Sequence, residues 1–360
     1  MVSTAALVGH GSAVPAAMSQ LALWDGFFRD HYGGNRTAER VWRTAGITTR
    51  HGVVNPRDED ISGWGTGARM SRYAEEAAPL GKEAVAAALE GAGLDAGEVG
   101  LLAVVSCTGY ATPGLDISLG RDLGMPPNLQ RLMVGHMGCY AALPALGAAA
   151  DFVAARSRAA VLLCLELTSL HVQPVTESAR GPEPSLDDLE QMVAHALFSD
   201  AAAAVVLRPD LPGLEVVDVV AHTDVSTSDH MTWNVTDLGF RMGLSSRVPG
   251  VLARHVRPVV EGLLRRHGLA IEDVAGWAVH PGGRRIVEVV GERLGLSREA
   301  LQPSYDVLRD HGNASSATVL LVLEQLRRTR SFDPGDTVVA LAFGPGLTLY
   351  AALLRQSGGR

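Results

Sequence analysis

Three stretches of the chain are so uniformly apolar that any strand they form needs cover on both faces. They are VGLLAVVSCTGY (99–110), RAAVLLCLELTS (158–169) and the small-residue run FSDAAAAVVLRP (198–209). A sheet with one wet face alternates apolar and polar residues, so continuous runs of this kind call for helices on either side. Helical patterns do separate them, the clearest at 71–93, which ends at glycines as helices often do. The second half repeats the style. LEVVDVVAHTD (214–224) reads as a strand and 250–267 as a helix, while 274–296 reads as a strand, a glycine turn and a helix. DHGNASSATVLLVLEQLRR (310–328) opens a long helix from a turn, and 336–354 reads as strand, glycine loop and strand. The class is α/β with buried sheets, and the halves 1–206 and 207–360 read as pseudo-repeats in one body. Lesser expectations are a strand at 4–9, an amphipathic helix at 17–31, a Pro/Thr/Ser/Glu-rich surface loop at 171–186 and a helix at 186–196.

Composition narrows the function. With 360 residues and 47% hydrophobic content the chain supports a large core. Its net charge of −8 and its 5% aromatic content disfavour a nucleic-acid partner. No run of 18 uncharged apolar residues occurs, so no membrane span is expected. The start, MVSTAALVGHGSAVP, lacks a basic leader region and reads as strand and turn, so no signal peptide is expected. Three cysteines (Cys107, Cys139, Cys164) without metal-ligand spacing suit a reduced, cytoplasmic protein with a thiol free to react and no metal.

One of those thiols is specially placed. In RLMVGHMGCYAALPALGAAADF (131–152), Leu132, Met133 and Val134 read as a buried strand running through Gly135 and Gly138 into an apolar helix. Cys139 at such a junction meets outward backbone N–H groups and a positive helix end, which favour the thiolate. Pro144 interrupts the expected helix, which shifts part of that stabilisation to another group. His280 in WAVHPGG and Asn313 in HGNASS occupy matching positions, just after an apolar strand and just before a buried helix. A cysteine can accept an acyl group from a thioester, a histidine can partner the thiolate, and histidine and asparagine N–H groups can both donate to an oxyanion. Two donors suit an enolate formed when a thioester decarboxylates.

With these residues in place, the sequence resembles the type III polyketide synthases, the chalcone- and stilbene-synthase-like enzymes of the thiolase fold. The shared motifs run from GC at 138–139 through ALFSDAAAAVVL (196–207), GF…VPG (239–250), WAVHPGG and HGNASS to GPGLT (344–348). The resemblance implies duplicated βαβαβ halves in a layered α-β-α-β-α architecture and a homodimer. It implies that Cys139 takes a starter acyl group and that His280 and Asn313 promote decarboxylation of malonyl-CoA. Repeated condensation then precedes cyclisation to an α-pyrone or small aromatic product, with no cofactor beyond the thioester substrates. Phe198 matches the aromatic gatekeeper, and Met242 stands where plant enzymes carry a second gatekeeper phenylalanine. Cys107, Thr168, His171 and Ser315 match cavity-lining positions, and Thr112 matches a residue passed into the partner's cavity. Gly344, Pro345 and Gly346 match the loop that shapes the cyclisation cavity.

The CoA-phosphate cluster departs from the family. Thr37, Arg40 and Thr44 stand where plant enzymes have Lys, Arg and Lys, so Arg40 alone is retained, with Arg36 and Arg43 as neighbours and Gly283 beside the histidine. The region 36–56, which also holds Arg50, reads either as a solvated face or as a phosphate dock. A thinned cluster also admits a starter carried by an acidic acyl carrier protein. Two other readings stay open from the residues: a single-condensation ketoacyl-acyl-carrier-protein synthase of the same fold, and a non-catalytic acyl-binding scaffold.

Overall fold

The computed structural model describes residues 4–358. Its strands, in chain order, are β1 (Ala5–Ala13), β2 (Ala17–Ser19), β3 (Thr49–His51), β4 (Val99–Val105) and β5 (Gln130–Val134). There follow β6 (Ala159–Leu167), β7 (Asp200–Pro209), β8 (Leu214–Thr223), β9 (Met231–Thr236), β10 (Gly239–Leu244), β11 (Val274–Val279), β12 (Thr337–Gly344) and β13 (Thr348–Gln356). Nine of them form one sheet in the order β11-β12-β13-β8-β1-β7-β6-β4-β5. β8 meets β1 only through Leu214 and Glu215, so this sheet is two half-sheets joined at a narrow seam.

The duplication is visible in the pairing. In the first half-sheet β1 pairs antiparallel with β7, β7 antiparallel with β6, and β6 parallel with β4. In the second, β8 pairs antiparallel with β13, β13 antiparallel with β12, and β12 parallel with β11. In both halves the opening strand lies beside the closing one, and the central strands are buried along their whole length, as the apolar runs require.

Helices complete five layers. Thr66–Gly91 packs on the outer face of the first half-sheet, and Val248–Arg266 with Arg284–Leu294 covers the outer face of the second. Between the half-sheets lie Ala142–Arg156 and Ala317–Thr329, each touching strands of both halves. Gly138–Arg156 is long and apolar enough, by composition, to cross a bilayer. Its place in this middle layer accounts for that character, because most of it packs against apolar side chains of both half-sheets.

Several local expectations need correction. β5 is an edge strand, not a buried one, because it pairs with β4 alone and leaves Met133 44% exposed. The stretch 17–31 begins as β2, then runs as Gln20–Leu23, a π-helical turn Trp24–Phe28 and Arg29–His31, with the Ser19 hydroxyl capping the first turn. The stretch 171–186 is no plain surface loop. It buries His171, Val172 and Gln173 and includes the short helix Glu177–Arg180. The β9–β10 hairpin carries too weak an alternation to be read in advance, yet it supplies two walls of the site.

Candidate active site

Cys139 sits on a single 3-10 turn, Gly138–Tyr140, directly before the helix Ala142–Arg156. Pro144 does not break that helix. It occupies the first turn, where a missing N–H leaves no intrahelical bond unmade. Two close approaches fix the turn. Gly138 has φ +73, and a Cβ there would lie 2.6 Å from Cδ of Pro345. A Cβ on Gly344 would lie 3.2 Å from the Cys139 nitrogen. The Gly344, Pro345 and Gly346 loop at the end of β12 is thus the wall against which the nucleophile turn is pressed.

His280 follows β11 and is held by its backbone N–H donating to the Leu341 carbonyl of β12 at 2.8 Å. The ring is fully buried, meets Phe343 edge-on at 5.8 Å, and has no hydrogen-bond partner at either nitrogen among the described residues. Asn313 is held by the backbone. Its N–H donates to the Leu197 carbonyl and its own carbonyl accepts from the Ser199 N–H, both at 2.9 Å. Its Oδ1 accepts from the Ser315 N–H at 2.9 Å, which sets the amide orientation. The NH2 is left without a protein partner among the described residues. Cys139, His280 and Asn313 all line one cavity of about 810 Å³, together with Phe198, Met242 and Gly283.

Charge is expensive here. Burial pushes the Cys139 thiol up to about 12, with the Ser315 hydroxyl opposing and Glu166 adding to the rise. Burial pushes the His280 imidazole down to about 3. Each group alone is therefore held neutral, and the helix end does not by itself maintain a thiolate. We propose that a thiolate forms there by transfer of the proton to His280, each ion then serving as the other's counter-ion.

Behind the thiols lies a group the sequence reading missed. Glu166 on β6 is fully buried and accepts hydrogen bonds from the Ser316 hydroxyl (2.5 Å), the Thr108 hydroxyl (2.9 Å) and the Cys107 N–H (3.0 Å). Burial outweighs these donors and raises its carboxyl to about 7. A lone glutamate within an otherwise continuous apolar strand was the available signal. Cys107 places its sulfur 3.5 Å from both Glu166 oxygens and 3.7 Å from the Ser315 hydroxyl, and burial and that carboxylate push its thiol up. Ser315 itself has φ +47, a conformation few serines adopt.

The remaining candidates divide. Thr168 donates to the Ser199 carbonyl at 2.8 Å and Cys107 is 3.7 Å from Ser315; both line a small inner hollow of about 10 Å³ with Cys139 and Ser315. His171 accepts the Phe240 N–H on Nδ1 and so donates from Nε2 to the Thr108 carbonyl at 2.7 Å. It is thereby a neutral histidine, stacked on Phe240 at 4.6 Å and pushed by burial to about 4, and it lines a second hollow of about 30 Å³. Trp233 of β9, not anticipated from sequence, closes the inner hollow and donates its indole N–H to the Cys107 carbonyl at 2.8 Å. Thr112 is exposed on a loop and lies outside this chain's cavity. Arg36, Arg40 and Arg43 are exposed too, with Arg43 paired to Glu39 at 2.9 Å; Val41 and Thr44 of the same helix, Arg36–Thr44, line the cavity instead. The arginines that do line the cavity are Arg247, Arg284 and Arg285, with Arg284 paired to Glu288 at 2.9 Å and Arg285 to Glu292 at 2.8 Å. Among the described residues no cluster suited to a metal occurs.

Two outcomes follow from these charges. His280→Gln removes the only counter-ion proposed for the thiolate, so iodoacetamide alkylation of Cys139 at pH 7 should slow by roughly 100-fold. Mass mapping at several pH values checks this, and an unchanged profile would show that the thiolate owes nothing to His280. Glu166 has a folded-state value raised from 4.5 to about 7, so its contribution to stability is full at low pH and lost as pH rises through about 7. Whatever the offset of Glu166→Gln at pH 4.5, its melting temperature should gain on the parent's between pH 4.5 and 8. A constant difference across that range would contradict the assignment.

The chain matches the chalcone and stilbene synthases along nearly its whole length, their N-terminal domain over residues 2–211 and their C-terminal domain over 218–357. It is 34% identical over 335 residues to the "alpha-pyrone synthesis polyketide synthase-like Pks18" of Mycobacterium tuberculosis, covering 89% of this chain and 82% of that one. It is 34% identical over 323 residues to the 1,3,6,8-tetrahydroxynaphthalene synthase of Streptomyces peucetius, covering 88% and 82%. The crystal structure of the Streptomyces coelicolor tetrahydroxynaphthalene synthase superposes with a TM-score of 0.90 at 26% identity, covering 98% of this chain and all of that one. With its five-layered thiolase-like fold, the chain belongs to the chalcone and stilbene synthase family: it is a type III polyketide synthase, an acyltransferase working by decarboxylative condensation.

Proposed function

We propose that Cys139 carries the acyl chain while His280 and Asn313 hold the thioester oxygen of malonyl-CoA. The observation that supports this is that one thiol, one imidazole and one amide NH2, the last two without a hydrogen-bond partner among the described residues, line a single cavity. In the first step Cys139 sulfur attacks the starter thioester and CoA leaves as its thiol, the proton passing from Cys139 through His280. His280 returns to its neutral form, which burial favours. As malonyl-CoA loses carbon dioxide, charge grows on its thioester oxygen and meets the His280 and Asn313 N–H donors. Each such donor is worth about 100- to 1000-fold in rate. The enolate carbon then attacks the acyl group on Cys139. In this reading the halves 1–206 and 207–360 supply the nucleophile and the oxyanion donors respectively.

The hollows beyond the gate are small, about 10 and 30 Å³, and both are lined by Phe198, Trp233, Met242 and Thr168. Such space favours few extensions and a compact product, an α-pyrone or a single small aromatic ring. The mouth supports delivery on CoA. Arg247, Arg284 and Arg285 of its lining offer guanidinium groups to phosphates, Arg284 and Arg285 exchanging exposed ion pairs with Glu288 and Glu292 for them, which weakens the motive for a carrier-protein starter. A homodimer fits the open edge of β5, where Met133, Ile117 and Tyr110 expose apolar surface and Thr112 projects on the adjoining loop. In that assembly Thr112 closes the partner's cavity.

Incubation with malonyl-CoA and acyl-CoAs of graded length should yield products with two or more added acetate units, lost in Cys139→Ala. Trp233→Ala should add at least one further unit to the longest product. A single added unit, seen only with carrier-bound malonate, would move the chain to the ketoacyl-synthase reading, and absence of any acylation would favour the scaffold. The charge reversal Arg284→Glu with Arg285→Glu should raise KM for malonyl-CoA about 10-fold or more at nearly constant kcat, whereas Arg40→Ala should change it less. Equal effects would return the phosphates to the helix Arg36–Thr44.

A further inference from the structure

Arg50 is neither on a solvated face nor at a phosphate dock. It is buried beside β7, with its guanidinium 5.0 Å from the centre of the Trp42 ring. The one hydrogen bond its side chain makes among the described residues is to the His195 carbonyl, at 2.5 Å, and its Nε has no partner. The nearest carboxylate influence is Asp200, whose oxygens are occupied by the Val53 N–H, the Ser169 N–H and hydroxyl, and the Thr168 hydroxyl. Buried arginines are ordinarily paired, because an uncompensated charge out of water is costly. This one instead lines the inner hollow of about 30 Å³, beside the equally unpartnered Nε2 of His195.

That hollow adjoins the nucleophile. It shares Thr168, Phe198, Trp233 and Met242 with the hollow that Cys139 lines, and Met242 is a flexible wall. We propose that Arg50 and this hollow form a carboxylate subsite for the far end of the acyl group on Cys139, selecting dicarboxylic monothioesters as starters. The inference rests on the reading of Cys139 as the acyl acceptor. A guanidinium presents parallel N–H groups in the geometry a carboxylate accepts, and Arg50 lines a hollow that shares four residues with the one Cys139 lines. The loading step is the ordinary transfer: the bond from Cys139 sulfur to the acyl carbon forms, the bond to the CoA sulfur breaks, and the Cys139 proton ends on CoA.

The test is single-turnover loading of Cys139, read by intact-protein mass, with succinyl- and glutaryl-CoA against butyryl- and hexanoyl-CoA and no malonyl-CoA present. These acids do not decarboxylate readily, so the far carboxylate persists. The parent should load the carboxylate-ended group at least 10-fold faster than its neutral counterpart of similar length. Arg50→Met should abolish or reverse that preference, and Arg50→Lys should keep part of it. Should Arg50→Met fail to fold, Ala194→Val narrows the same hollow without removing the cation and should cut glutaryl loading while sparing butyryl loading. Equal loading of both classes by the parent, or a preference untouched by these variants, would overturn the subsite. Failure of every acyl-CoA to load Cys139 would instead overturn the reading of the nucleophile.

Discussion

Everything at this site depends on the contact between the turn carrying Cys139 and the end of β12. Cys139 belongs to the first half of the chain, and His280 and the glycine loop belong to the second. Gly138 against Pro345, and Gly344 against the Cys139 backbone, leave no room for even a methyl group without displacement. Overpacking of that order costs about 1–3 kcal/mol in a core. Here the displaced atoms would be the backbone of the nucleophile, so the cost falls on geometry before it falls on stability. The two helices between the half-sheets serve the same end, because each packs on both halves and fixes their separation.

The second constraint is dryness. Cys139, His280, Glu166 and Arg50 are all buried, and in each the charged form is the one that burial opposes. Cys139 and His280 therefore rest neutral, while Arg50, lowered only to about 10, keeps its charge. Neutral N–H donors suit an enolate whose charge appears and disappears within one cycle, since they need no proton movement to meet it.

Much of this was legible in the sequence because it follows from local rules. The both-faces-apolar runs dictated covered sheets, and the placement of Cys139, His280 and Asn313 at element ends marked a shared cavity. What was not legible depends on partners distant in the chain. Leu132–Val134 has the composition of a buried strand and lies at an edge because no strand flanks it on one side. Arg50 shares a stretch with three exposed arginines, and only the packing of β3 against the end of helix Leu186–Leu197 buries it. Pro144 signalled a break, yet position within the first turn made it harmless. Trp233 and Phe240 sit in a hairpin without strong alternation, so their convergence on His171 could not be read from spacing.

The isolated bridge between Phe198 and Asn313 has a consequence for how such a site can diverge. The two backbone hydrogen bonds that join residues 197 and 199 to Asn313 make Phe198 and Asn313, the proposed gate and oxyanion donor, one rigid piece. Exchanging a side chain at the gate alters its bore while that piece stays still. Lengthening or shifting the backbone there would turn the amide away from its target. Substrate range is thus free to drift by substitution, whereas insertions and deletions in this segment are closed to it.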